Sequence, residues 1–339
     1  MPIFNQGTGG GGASLSPIIV VSAPTGSTVT CKKGSTVLTA EESSGTWSFA
    51  IPAYGTWTVT GVNTGTTVEK TVEVTAIEVY FVTLEFIPAV LNNATWAQVK
   101  QASDSGVASN YWAVGDTKQI TMNGKVSDGL TLSNYSTYVY IIGFNHNSSV
   151  EGTGIAFGGF KTAASGGIDV ALCDSGYNTN KTSGQWFNMN NSNTNSGGWS
   201  SSRMRSTTLP LVKSALPSDL QAVLKTTTLY TDNTGGSGTS ASYVTATQDE
   251  LYLLAEFEIF GTRRYANTAE QNYQKQYAYY VAGNSKVKYH HNVTSAAVKW
   301  WERSVHATDA NYFCGVNSNG SASYDSASAS YGLAVAFKI

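Results

Sequence analysis

Apolar and polar positions alternate along a succession of short runs near the start of the chain, at residues 18–21, 28–31, 46–51, 56–62, 67–74 and 79–86. Val, Thr, Ile and Trp dominate them, and such residues in alternation predict half-buried strands. Pro24-Thr-Gly, Lys33-Gly, Tyr54-Gly and Asn63-Thr-Gly stand between the runs. Each brings the fixed φ of proline or the positive φ open to glycine into a tight turn. Strands at this spacing predict a small β-sandwich over residues 17–88. Residues 1–16 carry the run Gly9 to Gly12 with no Lys-Ser/Thr behind it. That excludes a phosphate loop and predicts a flexible arm.

The pattern changes after Ile87-Pro88. Asn93 or Thr95 is placed to cap a helix whose apolar positions are Trp96, Val99, Val107 and Trp112. Two further helices are predicted, one over residues 203–214 and one starting at Ser218 behind Pro217. Strand-like runs occupy residues 119–122, 138–144, 251–260 and 332–339, while 178–198 and 233–242 are long loops of Asn, Gly, Ser and Thr. Loops of that length are functional or tied down by their own side chains. No fixed repeat is present, which removes solenoids and propellers. The expected fold class is mostly β with an α+β second domain over residues 89–339.

Composition narrows the partners. Only 12% of residues are charged, yet 41% are hydrophobic and the net charge is -2, a balance that supports a folded core and argues against disorder. With a pI near 6.1, the basic stripe of a nucleic-acid binder is missing. Cys31, Cys173 and Cys314 are too far apart for a metal-ligand spacing and odd in number, so each is expected to be a small buried hydrophobe. The first residues lack the basic and apolar regions of a signal peptide, and no apolar run reaches membrane-spanning length. An exterior-looking composition without an export signal points to a particle released by lysis.

Catalytic chemistry finds little support. No GxSxG elbow surrounds any serine. His290 and His291 are adjacent and are expected on opposite strand faces, where they cannot share one metal. Glu256 and Glu258 are expected on one strand face, bridged to Arg263 or Arg264. Of Trp300-Trp301, alternation buries one indole and leaves the other partly exposed, and Glu302-Arg303 is expected to pair.

Several phrases occur in a recognisable order: Tyr111-Trp-Ala-Val-Gly-Asp, Ile141-Ile-Gly-Phe-Asn-His, Gly197-Gly-Trp, Arg203-Met-Arg, Leu216-Pro-Ser-Asp-Leu, Asp249-Glu-Leu-Tyr-Leu-Leu-Ala-Glu, Trp300-Trp-Glu-Arg-Ser and Tyr331-Gly-Leu-Ala-Val-Ala-Phe. Together they resemble a family of uncharacterised domains of prophages and Gram-positive bacteria, similar to the retroelement-diversified tail adhesins. That resemblance covers about residues 92–339 and implies a C-type-lectin-like fold. The first domain more loosely resembles the Ig-like, carboxypeptidase-regulatory sandwich. Formylglycine-generating enzymes share the lectin fold but need a paired-cysteine site, and calcium lectins need tripeptides such as Glu-Pro-Asn; neither is present. No cofactor or metal is expected.

Between Ser304 and Phe337 there is no Glu, Lys, Gln, Met or Trp. Randomised Asn-type codons, which the resemblance implies, yield this vocabulary, and so does a plain, tightly packed hairpin. Tyr with Ser, Asn and Gly suits a binding face. The expected framework is Phe313, Val316, Gly320, Ala322, Gly332, Val335 and Phe337. The expected contact residues are Val305, His306, Thr308, Asp309, Asn311, Tyr312, Asn317, Asn319, Tyr324, Asp325, Ser326 and Ser328. The resemblance implies a phage tail or fibre adhesin, most simply a homotrimer, attached to other virion proteins through its N-terminal region. It would bind a bacterial host-surface glycan or protein without entering the membrane. The competing class is a virion decoration protein that serves assembly only.

Overall fold

The computed structural model describes residues 15–63, 66–236 and 238–339. The arm expected over 1–16 lies outside these, save Leu15 and Ser16. The chain divides into two units, Met1–Pro88 and Ala89–Ile339, and is mostly β, with 41% strand and 18% helix. Among the described residues no helix is long and apolar enough to cross a membrane.

Among the described residues the first unit contains seven strands: β1 (Ile18–Ser22), β2 (Thr28–Lys33), β3 (Thr36–Thr39), β4 (Thr46–Ala50), β5 (Gly55–Asn63), β6 (Thr66–Val74) and β7 (Val79–Thr83). They form a three-stranded sheet, β4-β1-β7, and a four-stranded sheet, β3-β2-β5-β6. Inward positions from both sheets make one core in which Ile19, Val21, Cys31, Trp47, Phe49, Trp57 and Val59 are buried. The period-two pattern determines which residues turn inward. Strand β3 was absent from the sequence pattern because every one of its side chains is exposed or only half-buried.

The second unit is built on an eight-stranded sheet. Its long members Thr117–Ser127 and Leu130–Phe144 form a hairpin that joins Ile155–Lys161. The C-terminal strand Ala336–Lys338 is inserted between Leu251–Tyr252 and Ile155–Lys161. Ile155 and Ile339 exchange both main-chain hydrogen bonds, at 2.9 and 3.0 Å. The helix Trp96–Asp104 packs on this region, with Trp96 edge-on to Phe157 and Phe337. Thr95, the second of the two expected caps, caps it in a capping box with Gln98; the helix ends at Asp104, so the expected positions Val107 and Trp112 lie beyond it.

Several local expectations are corrected. Residues 251–260 are not one strand: Leu251–Tyr252 is followed by the helix Glu256–Phe260. Glu258 folds back to accept the Ala255 N–H, and Gly261 ends the helix at φ 68°. Apolar runs of this length do not by themselves distinguish strand from helix. Residues 203–214 form a π turn, Met204–Thr208, then the helix Leu209–Ala215 with Pro210 in its first turn, where a missing N–H costs nothing. Both indoles of Trp300-Trp301 are buried, because chain covers both strand faces. The Trp300 Nε1 donates to Lys286 O and the Trp301 Nε1 to Phe187 O. His290 and His291 do not diverge; their rings stack at 4.9 Å, since the strand ends at His290.

Phe337 is fully buried against Phe157 and Trp96. Phe337→Ala is expected to lower stability by about 3–5 kcal/mol in urea denaturation. Because the second unit has its own buried core, residues 89–339 expressed alone should melt in one cooperative transition by calorimetry; a broad, non-cooperative trace would contradict this.

Candidate functional site

Beneath the C-terminal three-stranded sheet, Trp300–Val305, Tyr312–Val316 and Ala322–Ser326, lies a closed polar cluster. Arg303 is fully buried. Its guanidinium donates to both oxygens of Glu258 at 2.6 and 2.5 Å, to Leu253 O and to Thr231 Oγ1. The Arg303 N–H also donates to Leu254 O. This pair replaces the expected bridges from Glu256/Glu258 to Arg263 or Arg264, and the expected Glu302-Arg303 pair. Successive strand residues face opposite ways, so Arg303 cannot meet its neighbour Glu302. Glu302 is buried, and neither of its oxygens has a hydrogen-bond partner among the described residues. Burial and the nearby Glu256, Glu270 and Glu258 push its carboxyl well above the usual range, which keeps it neutral.

Two other carboxylates hold main chain in place. Glu256 accepts the N–H groups of Arg264, Tyr265 and Ala266 at 2.9 to 3.1 Å. Glu270 accepts from the Asp232 N–H, the Ser304 hydroxyl and the Gln274 amide. Burial raises the Glu270 pKa to about 7 against the pull of those donors and Arg303.

Above this floor four rings gather. Tyr324 lies 4.7 Å from Tyr265, 4.7 Å from His306 and 5.1 Å from Tyr312, centroid to centroid. Tyr265 also stacks on His306 at 5.7 Å. Strand pairing sets Tyr312 opposite Ser326 and Tyr324 opposite Cys314; the two tyrosines are therefore diagonal neighbours on one face. Tyr324 is exposed and the other three rings are half-buried. Burial lowers the His306 pKa, against the opposing charges of Asp309 and Glu256, so this ring joins the cluster as neutral imidazole at neutral pH.

Buried polar groups position the loops that carry these rings. The side chain of Asn195, itself buried, donates to Asp309 O and Tyr312 O, both at 2.8 Å. Ala307 N donates to Tyr265 O, linking the two ring-bearing loops directly. The loop after Asp232 packs under them, and a Cβ on Gly236 (φ +56°) would lie 2.5 Å from Ala310 Cα.

Of the expected contact residues, Thr308, Asn311, Asn319 and Tyr324 are exposed, and His306, Asp309, Tyr312, Asn317, Asp325 and Ser326 are half-buried. Val305 and Ser328 are corrected: both are buried and present no side chain to a partner. Val305 falls inward at the end of its strand, and Ser328 turns its hydroxyl to Asn180. Asp325 is committed internally, accepting from Lys299 at 2.8 Å and the Tyr331 hydroxyl at 2.7 Å. Burial opposes its charge, but these donors hold the carboxyl below the usual range. Asp309 accepts the Asn311 N–H, and Asn319 accepts from Ser321. Asn317 and Asn319 sit in the turn between the second and third strands, two strand residues or more from the rings.

Tyr265 and Asn195 were not found from sequence. Tyr265 follows Arg263-Arg264 behind the helix-ending Gly261, a loop signal, but nothing local connects it to a strand some forty residues on. Among the described residues no group of three His, Cys, Asp or Glu side chains is placed to hold a metal. Cys31, Cys173 and Cys314 are free and buried; burial raises the Cys31 thiol to about 11 and the other two also rise.

Residues 178–339, just under half of the chain, match a family described as a domain of unknown function, DUF6273. The match takes in the three-stranded sheet, the polar cluster and all four rings. No curated protein matches the chain.

The buried acids set a pH dependence. An unfolded glutamate releases its proton near the ordinary value of 4.5, whereas folded Glu270 keeps it to about 7. The folded state therefore binds more protons between those values, and stability falls as pH rises through that window, by about 3 kcal/mol from this group. Glu270→Gln should flatten the decline in urea denaturation between pH 5 and pH 7.5. Arg303→Met, which leaves Glu258 buried without its cation, should cost about 3–5 kcal/mol at neutral pH in the same assay.

Proposed function

We propose that the protein is a phage tail or fibre adhesin whose C-terminal face binds a bacterial host-surface glycan or protein. The supporting observation is the cluster of Tyr265, His306, Tyr312 and Tyr324 at the surface, with exposed Thr308 and Asn311 beside His306 and Tyr312 in the chain and Ser326, opposite Tyr312, donating to the exposed Asn193 at 2.9 Å. Close-set tyrosines give rigid, amphipathic contact area at low entropy cost, and short polar side chains around them supply hydrogen bonds. In this proposal the second unit is a C-type-lectin-like head, and the first an Ig-like mount carried by other virion proteins. Binding rather than catalysis is assigned because the clustered acids that catalysis would use, Glu256, Glu258, Glu270 and Glu302, are all buried.

Tyr312→Ala, Tyr324→Ala and Tyr265→Ala should each weaken binding to host cells by about 1–2 kcal/mol. Their melting temperatures should stay close to the parent's, since each ring is at least partly exposed. Host-cell binding by fluorescently labelled protein measures the first effect, and calorimetry the second. If all three variants bind host cells like the parent, the adhesin reading falls and a decoration protein that serves assembly takes its place.

A further inference from the structure

The first unit has an open strand edge with an unusual surface. Strand β7 ends the sheet β4-β1-β7. Ile18 N donates to Glu78 O and Leu84 N to Ser22 O, so residues 78, 80, 82 and 84 turn their main-chain groups toward β1. Alternation then turns the N–H and C=O of Val79, Phe81 and Thr83 outward. The same three residues put their side chains on the outer face, where Phe81 is 81% and Val79 39% exposed. Natural edges are guarded by Lys, Pro or a bulge, and Val79–Thr83, Val-Tyr-Phe-Val-Thr, has none of these. The strand is also braced: Tyr80 reaches back through its hydroxyl to accept the N–H groups of Thr75 and Ala76, both at 2.9 Å. A groove of about 280 Å³ runs along it, lined on the far side by Lys70, Thr71 and Val72.

We propose that this edge pairs with β7 of a second copy of the chain, antiparallel, with the two-fold axis at Phe81. The strand's own pattern selects that occupant. Centred on Phe81, the pairing sets Val79 against the second copy's Thr83 and Phe81 against the second copy's Phe81. All three outward residues then exchange both main-chain groups, making roughly six hydrogen bonds. Two Phe81 rings, each otherwise in water, meet on one face. The flanking acids do not collide, because Glu78 falls opposite the second copy's Leu84 and Glu85 opposite its Ile77. The second copy's Glu78 instead falls one residue past Thr83, at the end of the groove that Lys70 lines, so the charge nearest to it in that groove is of opposite sign. A five-residue strand pair is smaller than a standard stable interface, so the dimer is a weak one, populated at high concentration or when copies are held near each other. It closes on a two-fold axis and is distinct from the trimer that the family resemblance implies.

The full-length chain tests this by light scattering after size exclusion, over low to high micromolar concentration. The expected result is a rise from 35.9 kDa toward twice that mass, with Phe81→Lys remaining at the monomer mass at every concentration and melting like the parent. A parent that stays monomeric throughout overturns the proposal, as does a Phe81→Lys protein that associates as well as the parent. Cross-linking tests the register independently of stability. Paired residues of the hydrogen-bonded type lie about 5.5 Å apart between Cα atoms, inside the disulfide range of about 4.4–6.8 Å, and the three native cysteines are buried. Oxidised Phe81→Cys should therefore run as a covalent dimer on a non-reducing gel. Thr83→Cys and Val37→Cys, exposed but off the axis, should not; equal cross-linking of all three would show random collision and overturn the assignment.

Discussion

The buried pair between Arg303 and Glu258 is the constraint on which the second unit's ring-bearing surface depends. A guanidinium withdrawn from water is tolerated only when nearly all of its donors are met. Here Glu258, Leu253 O and Thr231 Oγ1 meet them together. Satisfying Arg303 thereby draws the strand Trp300–Val305, the strand Thr227–Asp232 and the corner before the helix Glu256–Phe260 to one point. Residues 251–260 divide into a strand and a helix, and it is from the helix that Glu258 meets Arg303.

The other acids extend that arrangement to the surface. Glu256 fixes the main chain that carries Tyr265, and Glu270 fixes Asp232 and Ser304. Asn195 performs the same task for the loop that carries His306 and precedes Tyr312. The loops that carry the rings are anchored through their main chain, while three of the four rings are also half-buried. Burial and the neighbouring acids raise the Glu302 carboxyl well above its usual range, and burial raises that of Glu270 to about 7.

The two units separate two kinds of contact chemistry. In the second, aromatic side chains stand over a buried polar floor and present rings and hydroxyls at the surface. In the first, the exposed edge of β7 presents main-chain groups, where selectivity for a partner strand is set by side-chain register. Phe81 at the centre of a short uncharged strand provides such a register. Under the two proposals, weak pairing through the first unit and recognition through the second would reinforce each other, since linked weak contacts gain from effective concentration.

How much of this was legible in the sequence differs between the units for a physical reason. In the first, alternation and turn residues marked six of the seven strands, because each strand buries one face locally and the pattern records it; β3, with no buried side chain, left no pattern to find. The capped helix at Trp96 was legible for the same reason, since its signals lie within one turn. In the C-terminal segment ten of the twelve expected contact residues are exposed or half-buried, while residues 327–339 are buried throughout. Burial of Val305 and Ser328, the partner of Arg303, the covering of both indoles at Trp300-Trp301 and the entry of Tyr265 into the ring cluster were decided by tertiary structure. Each depends on chain brought in from far along the sequence: Phe187 to Trp301, Asn180 to Ser328, Glu258 to Arg303, Tyr265 to Tyr324. Periodicity reports only which face of an element is apolar, while the choice of partner for a buried charge or a surface ring is made by whichever distant segment satisfies it in the folded state.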